Sequence, residues 1–222
     1  MISIVFDLDG TLIDSAPDLR VAVNRMMANE GQEAFDLATI TSFIGNGLPR
    51  LVELAMAARD MDTTRHAALS KDVLSHYKSA NGAFTTLYPG VLDALNLLKT
   101  NGHPLGLCTN KPIDATRDVL EQFALGDLFG AIIGGDSLAT RKPDPAPLVA
   151  TFDALGTPGI YVGDSEVDAE TAQRAEVPFA LFTEGYRKTP VAVLPHKWSF
   201  SEFGALTAIV ASALDSAENI SA

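Results

Sequence analysis

Asp7 and Asp9 stand directly behind the apolar run at residues 2–6, and Gly10-Thr11 follows them at once. Thr109-Asn110-Lys111 follows a second apolar stretch at 104–108. Gly163-Asp164-Ser165, with Asp168 just beyond, follows another at 160–162, and Lys142 lies between in Arg141-Lys142-Pro143. Singly, each has a plain explanation, because Asp and Asn form turns and cap helices. Their recurrence behind one apolar stretch after another is hard to attribute to turns. Carboxylates gathered in one place repel each other. A hard cation held by carboxylate and carbonyl oxygens removes that conflict, and Mg2+ with a phosphate co-ligand suits such a set.

The elements that position these residues follow from hydrophobic periodicity. Residues 1–6 are short, apolar and β-branched, which predicts a buried strand. Ser15, Pro17 and Asp18 form a helix-start pattern, and helical spacing runs from Leu19 through Met26 and Met27 to Gly31. Asp36 is placed to cap a short helix through Phe43, Gly45-Asn46-Gly47 breaks it, and further helices begin near Leu48 and Asp62. After Tyr88-Pro89-Gly90 the pattern alternates: strands are expected at 104–108, 131–133, 160–162 and 179–182, with helices near 91–98, 112–123, 145–155 and 167–175. Such alternation implies an α/β fold whose parallel sheet is covered on both faces. The expected domains are a core of residues 1–15 and 83–222 and an all-helical insertion at 16–82. The chain beyond Ser212 is expected to fray, and Trp198 receives no role. In open parallel sheets ligands bind at the carboxyl ends of the strands, where all the residues above would meet.

Composition restricts the partners. The net charge of −12 at pH 7 and a pI near 4.6 disfavour nucleic acid and anionic membrane. A single cysteine, Cys108, fits a reducing compartment and reads as core packing. No apolar run is long enough to span a bilayer, and residues 2–6 lack the features of a signal peptide; a cytoplasmic location is expected. His66, His76, His103 and His196 have no ligand-like spacing, which argues against zinc.

The combination Asp7-x-Asp9-Gly10-Thr11, Thr109, Lys142 and Gly163-Asp164-x-x-x-Asp168 resembles the haloacid dehalogenase-like superfamily over nearly the whole chain. That resemblance implies a Rossmann-like parallel core with a helical cap inserted after the first strand. It implies Asp7 as nucleophile, forming an aspartyl phosphate, and Asp9 as general acid and then general base, in surroundings expected to be apolar and acidic. Mg2+ would be held by the Asp7 and Asp164 side chains and the Asp9 carbonyl, with Asp168 supporting from behind. Lys142, the Thr109 hydroxyl and the Asn110 amide would balance charge on the phosphoryl group.

Within that resemblance, Asp9 argues against dehalogenase and phosphonoacetaldehyde hydrolase chemistry, and Thr11 mildly favours hydrolysis over a β-phosphoglucomutase-like reaction. The segment from Phe43 to Gly47 with Arg50, together with Thr109-Asn110-Lys111-Pro112, Gly134-Gly135-Asp136 and Gly185-Tyr186, is similar to phosphoglycolate phosphatases. The expected substrate is thus a small phosphate ester, foremost 2-phosphoglycolate. A sugar-phosphate mutase, or a phosphatase for sugar phosphates, nucleotides or pyrophosphate, stands as the alternative. Gly45 and Asn46 either contact substrate or form a helix–helix turn. Arg50 either meets a substrate carboxylate or lies on a solvated helix face, and Lys111 is open in the same way. A monomer or small homo-oligomer is expected.

Overall fold

Strand β1 (Ser3–Phe6) is buried along its full length, as its unbroken apolar sequence requires of a strand covered on both faces. The structure is a computed structural model describing residues 1–80 and 82–218. Strands β4 (Leu105–Cys108) and β6 (Gly159–Gly163) flank β1 in parallel, with Phe6 opposite both Leu107 and Val162. Strands β5 (Ala131–Ile133), β7 (Phe179–Phe182) and β8 (Trp198–Phe200) extend the sheet to six parallel strands in the order β5-β4-β1-β6-β7-β8.

Alternation along β1 divides the core. Ile4 and Phe6 pack with Leu95 and Leu98 of α5 (Val91–Thr100), Val119 and Leu120 of α6 (Ile113–Gln122), and Leu206 and Val210 of α9 (Leu206–Glu218). Val5 points the other way, into a cluster with Leu148 of α7 (Ala146–Leu155) and Ala169 and Ala172 of α8 (Glu166–Arg174). Cys108 is buried in this second layer, and burial pushes its thiol up to about 12, so it packs as a small hydrophobe.

One expectation is corrected: the chain beyond Ser212 continues as α9 with Ala213 buried against the sheet. Trp198, which received no role, begins β8, a strand not expected from the sequence, and pairs with Ala180. Three residues give too short an alternation for a strand signal, and an alanine-rich helix shows little apolar contrast. Residues 219–222, the end of the segment expected to fray, lie outside the described residues. Phe182 centres the aromatic packing, with ring centroids 5.0 Å from Tyr88 and Phe203 and 5.4 Å from Phe200. Phe182→Ala is expected to cost about 3–5 kcal/mol, measurable as a lower urea midpoint with unchanged slope.

The chain divides into two compact units, Met1–Ile13 with Leu87–Ala222, and Asp14–Thr86. At the passage between them, β2 (Ile13–Asp14) pairs with β3 (Thr86–Leu87). The second unit comprises α1 (Ala16–Asn29), α2 (Leu37–Phe43), α3 (Leu48–Ala57) and α4 (His66–Ala80). Its own core contains Val23, Met26, Met27, Ile40, Val52 and Val73. Asp36 caps α2 by accepting from Thr39 N at 2.7 Å. Helix α1 begins with no side-chain cap bond from Ser15. Asp18, which the sequence pattern placed in a helix-start role, instead accepts from Thr85 Oγ1 at 2.6 Å and Phe84 N at 3.1 Å, tying the return of the chain to the first helix of the unit.

Candidate active site

The sheet unit gathers its polar residues at the carboxyl ends of β1, β4 and β6. Asp7 continues β1, its N–H donating to Val162 O at 2.9 Å. Gly10 has φ 89, and a Cβ there would run into the Asp164 carboxylate; only glycine allows this turn so close to β6. The turn delivers Thr11, whose hydroxyl donates to Asp164 Oδ1 at 2.7 Å. On the other side Tyr186 N donates to Asp164 Oδ2 at 2.6 Å. Asp164 is therefore pinned from two loops, with lone pairs to spare on both oxygens.

Lys142 lies among acids. Its Nζ is 2.7 Å from Asp168 Oδ1, 2.8 Å from Asp7 Oδ1 and 2.8 Å from Tyr161 OH. Asn110 Nδ2 donates to Lys142 O at 3.0 Å, so the Asn110 side chain fixes the loop carrying this lysine. Thr109 follows β4 and is buried; its Oγ1 accepts from Lys111 N at 3.3 Å. Asp9 lies nearby in the chain, but its charged partner is Lys111, Nζ to Oδ1 3.1 Å. That corrects the expected apolar and acidic surroundings: a buried ammonium faces Asp9, reaching back from the end of β4.

Asp7, Asp164 and Asp168 each offer an oxygen within 4.8 Å of the others. They are not equivalent. Asp168 Oδ1 accepts from Lys142 Nζ and Tyr161 OH, and Oδ2 accepts from Asp164 N, Ser165 N and Ser165 Oγ. Five donors saturate a carboxylate with about four lone-pair sites, which leaves none for a cation. Asp7 Oδ1 is the reverse: buried, and among the described residues receiving no directed hydrogen bond although Lys142 is in ionic contact.

Charge completes the case for a cation. Three buried carboxylates cluster here with one ammonium, Lys142, which pairs with Asp7 and Asp168, leaving an excess of two negative charges that a divalent ion matches. Without it the carboxylates resist ionising. Burial, then the neighbouring Asp168, raises Asp7 from 3.8 to about 7 against the pull of Lys142. Burial, Asp168 and Asp7 raise Asp164 well above its usual range. Asp168 is also buried, but Lys142, Ser165 and Tyr161 outweigh that and hold it low. Burial works against the Lys142 charge, yet Asp168 and Asp7 raise its pKa. The residues thus fit a divalent metal, with Asp7 and Asp164 as side-chain ligands.

A pH-linked stability follows. A carboxyl with raised folded pKa holds its proton more tightly when folded, so stability falls as pH rises from about 4 to about 7. For Asp7 burial raises the folded pKa from 3.8 to about 7, which places the loss in that window. Metal-free protein is expected to lose thermal stability across that range. Added Mg2+ should raise Tm more at pH 8 than at pH 5.5, and equal increments would contradict this account.

The sequence-derived residues fall into two groups. Asp7, Asp9, Thr109, Asn110, Lys142, Asp164 and Asp168 meet at the strand ends; Gly45, Asn46 and Arg50 belong to the helical unit. There Gly45 and Gly47 take φ of 128 and 82, as a turn between α2 and α3 demands, and Arg50 pairs with Glu53 at 2.7 Å on an exposed face of α3. Sequence reasoning missed Tyr161; it singled out Ser165 and Gly185-Tyr186 but gave neither the Ser165 hydroxyl nor the Tyr186 amide a role at the site. Tyr161 was hidden because a tyrosine inside an apolar strand reads as core.

An α/β sheet with two aspartates after its first strand, a lysine on a later loop and an aspartate after β6 defines a class, and the chain belongs to it. Residues 4–182 match the haloacid dehalogenase-like hydrolase family, and the protein is a phosphoric monoester hydrolase of that family, acting on a small phosphate ester. It is 53% identical over 204 residues to a phosphoglycolate phosphatase of Cereibacter sphaeroides, covering 90% of this chain and 94% of that one. It is 43% identical to the phosphoglycolate phosphatase of Rhodobacter capsulatus over 211 residues, 94% of this chain and 96% of that one. The crystal structure of a predicted phosphoglycolate phosphatase from Haemophilus somnus superposes with a TM-score of 0.87 at 29% identity, covering 94% and 97% of the two chains. Among the described residues no helix is long and apolar enough to cross a membrane.

Proposed function

We propose that the protein is a Mg2+-dependent phosphatase converting 2-phosphoglycolate to glycolate and phosphate through an aspartyl phosphate on Asp7. The observation that carries the chemistry is the cluster of Asp7, Asp164 and Lys142 at the strand ends, with its unbalanced negative charge. The relatives above support the substrate.

Mg2+, held by Asp7, Asp164 and the Asp9 carbonyl, would neutralise the phosphoryl oxygens. The Asp7 carboxylate attacks phosphorus, and the ester oxygen leaves with the proton of Asp9. Asp9 then takes a proton from the water that attacks the acyl phosphate, releasing phosphate and regenerating Asp7. Lys142 balances charge beside Asp7, and Thr109 Oγ1 with the Asn110 amide would steady the phosphoryl group. The helical unit would act as a cap that excludes water and carries the contacts assigned to Gly45, Asn46 and Arg50. A cytoplasmic monomer or small homo-oligomer completes the reading.

A panel of 2-phosphoglycolate, hexose phosphates, nucleoside monophosphates and pyrophosphate, compared by kcat/KM with Mg2+, tests it. Phosphoglycolate is expected to lead by about tenfold or more, the margin one well-placed carboxylate contact supplies. A lead by another ester would replace the substrate and keep the chemistry. Isomerisation of a hexose 1-phosphate without net phosphate release would replace the hydrolysis itself.

A further inference from the structure

Tyr161 lies on β6, inside an apolar strand, and is completely buried. Its ring packs against Phe179 at 5.8 Å, which would suffice for a core residue. Its hydroxyl does something a phenylalanine could not. It accepts from Lys142 Nζ at 2.8 Å and donates to Asp168 Oδ1 at 2.7 Å. Asp168 Oδ1 also takes Lys142 Nζ at 2.7 Å, so the three groups close a hydrogen-bonded triangle.

That triangle has a consequence for Asp7. An ammonium has three hydrogens, and Tyr161 and Asp168 engage two of them. Lys142 remains 2.8 Å from Asp7 Oδ1, yet among the described residues that oxygen receives no directed hydrogen bond. Lys142 attracts Asp7 electrostatically while the lone pairs of Asp7 are left unoccupied by a strong donor.

We propose that Tyr161 is a positioning residue that, with Asp168, turns the Lys142 ammonium so that its charge stands beside Asp7 without hydrogen-bonding the attacking carboxylate. The third ammonium hydrogen is then left for an oxygen of the arriving phosphoryl group. An ammonium rotates readily about its Cε–Nζ bond, so without a fixed second acceptor it would aim a hydrogen at Asp7, the nearest unsatisfied oxygen. A nucleophile so engaged attacks more slowly. The proposal rests on the phosphatase reading and deepens it.

Tyr161→Phe tests it, since it keeps the ring and removes one oxygen. With p-nitrophenyl phosphate and saturating Mg2+, well below the Tm of the variant, kcat is expected to fall at least about tenfold while KM stays within about threefold. A purely structural tyrosine would lower Tm and leave kcat of the folded protein unchanged, and that result overturns the proposal. A rise in KM alone would also overturn it, by assigning Tyr161 to substrate binding. In Mg2+-loaded wild-type protein an NOE between the Lys142 Nζ hydrogens and the Tyr161 ring is expected. Its absence overturns the proposal whether or not the variant folds. Inactive wild type removes the phosphatase reading and this proposal with it; active wild type with an unaffected Tyr161→Phe removes this proposal alone.

Discussion

Asp7→Asn is expected to lower Mg2+-dependent phosphate release by a factor on the order of 10⁴ or more, because in the proposed mechanism Asp7 attacks phosphorus and a neutral amide is a poor nucleophile. Stability should move the opposite way. Asp7 is one of three buried carboxylates clustered with a single ammonium, and burial raises its pKa to about 7. The isosteric amide removes a charge that the metal-free fold tolerates poorly. Metal-free Asp7→Asn is therefore expected to melt above metal-free wild type at pH 8, and to gain less from added Mg2+. Phosphate assays and thermal melts on one preparation check both halves. Loss of activity together with a lower metal-free Tm would refute the electrostatic account, since it would reveal an aspartate needed for folding. Unchanged phosphate release would refute the nucleophile.

Lys142→Met has the second-largest expected effect, and here stability and activity fall together. The ammonium is 2% exposed and in contact with both Asp7 and Asp168. Removing one partner of a buried ionic cluster leaves uncompensated charge, at a cost of about 3–5 kcal/mol. The loss should be smaller at pH 5.5 than at pH 8, because the orphaned carboxylates can take up protons at the lower pH. The kcat should fall by about 10²–10³, the usual cost of removing one charge-stabilising group. Urea midpoints at the two pH values separate this account from simple loss of packing, which would be independent of pH.

These effects contrast with the surface of the helical unit. Arg50 and Glu53 form an exposed pair of a kind that contributes at most about 1 kcal/mol to stability. A role for Arg50 in substrate recognition would therefore appear in KM for a carboxylate-bearing ester and not in Tm.

The strand ends were legible in the chain because a strand covered on both faces must be apolar throughout. Where β1, β4 and β6 stop, the change to Asp7, Thr109 and Asp164 is abrupt, and parallel pairing sends all three to one edge. The alternation after Tyr88 revealed β4 through β7 for the same reason, whereas β8 and the end of α9 were too short or too low in contrast to register. Residue type and order also brought out the acids and the lysine. Distances of 2.7–2.8 Å from Lys142 to its acidic partners arise from side chains 26 or more positions apart, and no local pattern encodes them. Which aspartate keeps a lone pair for a cation, which lysine faces Asp9, and which groups the hydroxyl of a strand tyrosine meets all depend on the packing of separate loops. Hydrophobic burial sets the strands from short-range pattern, but hydrogen bonds and charge pairs act over a few ångströms, so their partners are settled only once the chain has folded.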